Sequence, residues 1–423
     1  MKLISGGRRV AGNDESTTPR TTGTKEGTPS FALPRGVTLL FAIAGGTAVA
    51  NVYFAQPLLV TLGRDFAISP ATLGAVVTLT QLGYGLGLFF IVPLGDLVDR
   101  RRLIVMQLLL LAAALTVVGT ATIAALLLAG MAAVGLLAVV TQTLVAFAAS
   151  LAPPAQRGRV VGLVTSGVVT GILLARTVSG LLADLAGWRS VYLTSVALTC
   201  ALALALHHVL PPRDTAAPSM NYGQLLRSTL TLFAQERLLR LRALLALLIF
   251  AAFSTLWSCV ALPLSAPPLS LSHTAIGAFG LVGAAGALAA TAAGRLNDRG
   301  LSQRTTGIGL ALLVASWLPL TFARQSLWAL AVGVIVLDLA VQAVHVTNQS
   351  LIYTLRPDAG SRLIGGYMVF YSLGSALGAI ASTALYAVAG WGAVCALGAA
   401  ISCLALLLWA GTRRRTPASA AAD

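Results

Sequence analysis

Asp338, Gln342, His345 and Gln349 lie within a single apolar stretch, VLDLAVQAVHVTNQS at residues 336–350. At about 100° per residue they fall on one face of a helix. A carboxylate, an imidazole and two amides on a common stripe can hold a proton, pass it on and hydrogen-bond a polar solute. Arg176 lies inside another apolar stretch, and Asp184 stands near the end of that one. A charge at the centre of a bilayer costs about 2.5–3.5 kcal/mol, so such groups face a cavity or one another. Asp338 therefore has two main readings. In the first it carries a proton as the cavity changes sides, with His345 to share or relay it. In the second it forms a fixed ion pair with Arg176 that holds neighbouring helices in register. A plain scaffold role stands beside both.

Other polar residues in apolar surroundings are candidates for lining a solute path: Asn51 and Gln56, Thr78 and Gln81, Gln142 with its neighbour Thr141, and Ser254 with Trp257. Tyr367 and Tyr371 are one helical turn apart and suit the stacking of a planar solute. For each residue taken singly, helix–helix hydrogen bonding or packing is the competing reading. The four cysteines all sit in apolar segments without ligand spacing, so no metal site is expected. No phosphate-binding loop and no nucleophile with partners is found, which leaves a membrane enzyme or sensor as a remote reading without a cofactor.

These side chains require helices that cross a membrane. The chain has 423 residues, of which 57% are hydrophobic and 10% charged, with a mean hydropathy of +0.87. A soluble domain carries about 25% charged residues. Apolar runs long enough to cross about 30 Å of hydrocarbon recur as twelve spans. The first six are roughly 36–60, 70–94, 103–121, 124–150, 160–184 and 188–209. The second six are roughly 244–268, 274–294, 304–322, 326–350, 362–387 and 391–411. The break between the third and fourth, GTATIAAL, is weak. Residues 1–35 and 412–423 read as polar tails, and the start has no apolar core of a cleavable signal. The linker 210–243 contains LLRSTLTLFAQERLLRLR, which suits an amphipathic helix on the membrane surface.

The net charge of +15 does not point to nucleic acid, because the basic residues stand in short groups between spans. With the amino terminus in the cytoplasm, 24 of the 28 Lys and Arg fall on that side. Arg64, Arg189 and Arg324 fall outside, and Arg176 lies within a span. Both termini are thus expected in the cytoplasm.

The spans also repeat. GDLVDR follows the second and GRLNDRG the eighth, while RGRVVG with a later AGW is echoed by GSRLIGG with a later AGW. Arg159 and Arg362, like Trp188 and Trp391, are separated by 203 positions, and the two Gly-x-x-x-Asp-Arg motifs by 199. Three landmarks in the same order indicate a duplicated six-helix unit, with bundles at 36–209 and 244–411. Parallel repeats of this kind build alternating-access carriers.

PLGDLVDRRRL at 93–103 resembles the loop signature of the major facilitator superfamily. NVYFAQPLL, GILLARTVSG and LDLAVQAVHVTNQSLIY are similar to its bacterial proton-coupled exporters of drugs, sugars and purine nucleosides. The resemblance implies an all-α membrane protein with twelve transmembrane helices in two pseudo-symmetric bundles. It implies a cavity between helices 1, 4, 7 and 10. It also implies a cytoplasmic gate at Gly95, Asp99 and Arg100 and at Gly294, Asp298 and Arg299, where glycine permits close helix approach and the charges latch the halves. The expected activity is proton-coupled antiport, exporting a small organic solute (drug, nucleoside, sugar or amino-acid-like) by alternating access. Import or facilitated diffusion on the same fold is the alternative. The expected setting is a monomer in the lipid bilayer of a bacterial inner membrane, with solute and protons as partners.

Overall fold

Apolar length and glycine placement dictate the architecture. The computed structural model describes residues 35–153, 156–210, 221–283, 292–297, 299–355 and 360–413. Most of the tails, linker residues 211–220, residues 284–291 of the eighth span and the rim residue Asp298 lie outside the described residues.

The first bundle begins with α1 (Arg35–Ala50) and α2 (Leu59–Asp65), which share one crossing. It continues through α3 (Ala75–Phe90), α4 (Arg100–Gly119) and α5 (Ala124–Ala138) with its extension α6 (Val140–Leu151). The weak break between the third and fourth spans is therefore real, and falls at residues 120–123. Helices α7 (Arg157–Ala186) and α8 (Trp188–Val209) complete the bundle. The linker forms α9 (Tyr222–Gln235), opened by a reciprocal cap between Asn221 and Gln224. The second bundle holds α10 (Arg237–Trp257) with α11 (Ala261–Ser265), α12 (His273–Val282), α13 (Ser302–Leu320), α14 (Leu327–Tyr353) and α15 (Gly360–Arg413). The last reverses at Gly390, whose φ of 71° favours glycine. Gly187, at the matching point between α7 and α8, has φ 80°. Both belong to the repeated AGW landmarks.

Helix α10 starts before its apolar run and carries Arg242 down into the bundle. That side chain is buried and donates to Asn348 Oδ1 at 3.1 Å and Thr306 Oγ1 at 3.3 Å. Apolar length alone assigns Arg242 to the linker at 210–243, because helix continuation beyond the apolar run is invisible to it.

The duplication extends to individual contacts. A Cβ on Gly171 would strike the carbonyl of Gly46 where α7 crosses α1, and one on Gly374 would strike that of Leu247 where α15 crosses α10. Small residues allow such backbone approach in membranes, where helices associate by packing rather than by the hydrophobic effect. The rim glycines do not serve this purpose. A Cβ on Gly95 would meet Leu103 and Thr143 at an ordinary 3.8 Å, and one on Gly294 would meet nothing within 4 Å.

The face that carries Arg35, Arg100, Arg157, Arg237, Arg304 and Arg362 is called here the basic face. Among the described residues, direct hydrogen bonds between the two bundles lie between the membrane centre and the opposite face. They include Gly74 N to Thr383 Oγ1 at 3.0 Å, Thr78 Oγ1 to the Ala376 carbonyl at 2.9 Å and Thr177 Oγ1 to the Gly277 carbonyl at 2.9 Å. At the basic face the described hydrogen bonds run through α9. Tyr222 donates to the Phe90 carbonyl at 2.8 Å and Arg362 donates to Ser228 Oγ at 2.9 Å. The molecule is thus sealed at the opposite face.

Candidate functional site

Two bent helices bring polar side chains to the centre. Pro57 has no N–H to offer and its ring crowds the preceding turn, so the chain tightens to a 3₁₀ turn at Gln56–Leu58. Pro263 stands beyond an equivalent bend between α10 and α11. The bends leave Tyr53 and Gln56 facing Trp257, and Arg176 of α7 reaches between them.

Arg176 is only 3% exposed. Its Nε donates to Gln56 Oε1 at 2.6 Å. Its guanidinium carbon lies 3.9 Å from the ring centre of Trp257, 5.2 Å from Tyr53 and 5.7 Å from Phe253. Aromatic faces attract a desolvated cation, and this cage compensates part of the burial. Nη2 is nonetheless buried without a hydrogen-bond partner.

Asp338 is 6% exposed, and its Oδ1 accepts the indole N–H of Trp257 at 3.1 Å. Trp257 therefore touches both charges, the cation with its face and the carboxylate with its edge. Among the described residues no salt bridge joins Arg176 to Asp338. Gly283 of α12 faces the same carboxylate so closely that a Cβ there would collide with Oδ2.

Further along the stripe, His345 Nδ1 pairs with the Tyr367 hydroxyl at 2.8 Å, and its ring meets Phe250 edge-on at 5.0 Å. Tyr53 and Tyr371 join hydroxyl to hydroxyl at 2.5 Å across the two bundles. Tyr367 and Tyr371 of α15 thus both have their hydroxyls engaged by protein partners. Gln342 is half-buried on the same helix, and Gln349 Nε2 reaches the Met368 sulfur at 4.0 Å. Gln142 donates to the Tyr84 hydroxyl at 3.4 Å, and Gln81 is buried with Oε1 unpartnered.

Three candidates sit in helix contacts instead. Asn51 is held by the Thr47 carbonyl at 2.9 Å and by Ser195 Oγ at 2.7 Å, so it ties α1 to α8. Thr78 bonds across to α15, and Ser254 pairs with Ser258 within its own chain segment at 3.1 Å. At the basic rim, Asp99 caps α4 by accepting from Arg101 N at 2.9 Å. Arg100 donates to the carbonyls of Gly95 at 2.7 Å and Ala146 at 3.4 Å, both within the first bundle. Arg299 lies in the exposed turn after the short helix at 292–297.

The sequence reading missed a cluster at the opposite face. Asp184 of α7 accepts from His273 Nδ1 at 2.6 Å, from Thr274 N at 2.8 Å and from Thr274 Oγ1 at 2.7 Å. Thr61 of α2 meets the other ring nitrogen of His273 at 2.7 Å. The start of α12 is thereby clamped by an acid from the other bundle, as a helix N-terminus favours. The signal available in sequence was an acid just inside a span end and a polar SLSHT stretch opening another.

The profile of the Major Facilitator Superfamily matches residues 41–265 and 243–423, which together span both bundles. The chain belongs to this superfamily. It is 48% identical over 381 residues to the transporter YgaY of Escherichia coli, covering 90% of this chain and 96% of that one. A transporter of Streptomyces coelicolor is 32% identical over 373 residues, with 88% and 86% covered. A bacterial homologue of the human lysosomal transporter Spinster, solved inward-facing and occupied, is similar in fold. Its TM-score is 0.72 at 15% identity, with 90% of this chain and 96% of that chain covered. The protein is a multi-pass membrane transporter of a small molecule rather than an enzyme.

Proposed function

We propose that this transporter is a proton-driven antiporter that exports a small organic solute, with Asp338 as the proton-carrying group. One observation carries the reading. Asp338 is a buried carboxylate in the middle of a membrane helix whose described partner is the neutral N–H of Trp257. A carboxylate held this way can take up a proton without breaking an ion pair. A fixed pair with Arg176 would oppose the same step. The similarity of three segments to proton-coupled exporters supports the outward direction.

In this reading the basic face is cytoplasmic, with both termini there, following the bias of Lys and Arg between the spans. Asp338 then takes protons from outside and releases them inside, while the bundles rock about the seams sealed in this conformation. In this reading His345, two turns along the same helix, relays the proton, and the rim charges of Asp99 and Arg100 latch the cytoplasmic side when it closes.

The test uses inside-out vesicles energised by respiration, with a dye that reports internal acidity. A transported solute should discharge the gradient through the wild-type protein and fail to do so through Asp338→Asn that inserts normally. Export of the solute that continues at full rate without a proton gradient would sink the coupling.

A further inference from the structure

The central site holds a cation and an anion that, among the described residues, form no direct salt bridge. Arg176 keeps one hydrogen bond, to Gln56, and its Nη2 is buried without an acceptor. Buried donors nearly always find an acceptor, and an anionic oxygen would supply one to Nη2. Asp338 accepts from Trp257, and that same indole covers the guanidinium. Phe250 and Phe253 add apolar wall beside the tryptophan. Neither charge belongs to the repeated frame of the fold. At the shift of 203 positions, Arg176 falls on Ala379 and Asp338 on Gly135.

We propose that Arg176 and Asp338 bind the two ends of a zwitterion, an amino-acid-like solute. Its carboxylate takes Nη2 of Arg176, its ammonium takes the Asp338 carboxylate, and its side chain lies against the aromatic wall. The assignment rests on the exporter reading and names its substrate class.

Charge balance supports it. The site with both groups ionised is neutral and so is a zwitterion, so filling it adds no net charge to the membrane interior. A solute with a single charge would leave one protein charge uncompensated there. The sign of coupling also follows. An ammonium and a proton compete for one carboxylate, so solute binding expels a proton and reprotonation expels the solute. A carboxylate-only solute would instead favour a proton on Asp338 and travel with it. The other ionisable groups around the pair, among the described residues, are Tyr53 from the bend, Tyr371 of α15 and His345 on the helix of Asp338 itself.

The experiment uses the purified full-length chain and three probes with the same ring: L-phenylalanine, 3-phenylpropanoate and 2-phenylethylamine. L-Leucine and L-serine extend the first class. Thermal stabilisation gives binding, and a pH indicator in weakly buffered solution gives proton release. At least one amino acid should bind and release a proton. With L-phenylalanine as reference, the two singly charged analogues should bind about tenfold more weakly or worse, since each leaves a charged hydrogen bond unmade. Arg176→Gln and Asp338→Asn should each abolish the stabilisation. If either fails to fold, the probe series on the unaltered protein still decides. Equal binding of either analogue overturns the assignment, and so does no binding by any of the three amino acids. Those outcomes leave gradient-driven export of another solute standing. Gradient-independent export of a bound amino acid would strike the coupling alone.

Discussion

Gly277 lies directly against the backbone carbonyl of Arg176, leaving no room for a Cβ. Gly74 lies in the same way against the carbonyl of Ala379. Each pair becomes the other on a shift of 203 positions, which exchanges the α7–α12 crossing for the α15–α3 crossing. These crossings are the two seams between the bundles, and the pseudo-two-fold makes them equivalent.

Filling either seam should therefore force the opposite face apart. Gly277→Leu and Gly74→Leu each overpack a backbone contact, at about 1–3 kcal/mol, enough to move a two-state balance about fivefold or more. Spin labels at the exposed Leu185 and Val388, themselves related by the same shift, should report a longer distance in either variant. Gly162→Leu, where nothing lies within 4 Å, should leave that distance unchanged. An unchanged distance in the seam variants would remove their role.

Asp184 offers a second handle on the same face. Its carboxylate accepts from His273 and Thr274 across the seam, and hydrogen bonds to a charged group contribute about 1.5–3 kcal/mol each at most. Asp184→Ala should populate the state open at the opposite face, again seen as a longer Leu185–Val388 distance. High salt should reproduce little of this effect, because the short bonds to Thr274 do not depend on long-range charge.

Much of this frame was legible in sequence for a physical reason. Span length, charge bias and the AGW and Gly-x-x-x-Asp-Arg landmarks are local properties, and duplication wrote them twice. Side-chain partnership is not local. Asn51 and Thr78 looked like cavity residues because they are polar within apolar runs, yet each satisfies a helix contact. Trp257 was among the candidates, but nothing in its neighbours revealed that it would touch both Arg176 and Asp338. That arrangement depends on the bends near Pro57 and Pro263 and on where α7 crosses them.

The crossing at Asp338 also has a symmetric partner, with the sizes exchanged. In the first bundle Gly135 of α5 abuts the Thr80 carbonyl of α3; in the second, Gly283 of α12 abuts the Asp338 carboxylate of α14. Gly283→Ala alone should lower stability by about 1–3 kcal/mol through the collision with the carboxylate. Gly283→Thr combined with Asp338→Gly recreates the first bundle's pair and should recover the melting temperature without recovering proton coupling. A double variant less stable than Gly283→Ala would show that the two crossings are not interchangeable.

Tyr53 and Tyr371 pair their hydroxyls across the bundles, and both rings are buried. Removing one hydroxyl strands the other in an apolar setting, at about 1–3 kcal/mol, whereas removing both strands neither. Tyr53→Phe and Tyr371→Phe should each lower the melting temperature, and the double variant should lose less than the two losses combined. The coupling expected from such a cycle is about 0.5–3 kcal/mol. Because the pair joins the bundles, the single variants should also lengthen the Leu185–Val388 distance, which a bond confined to one bundle would not do. Strict additivity, with the distance unmoved, would mean that the two hydroxyls do not hold the bundles together.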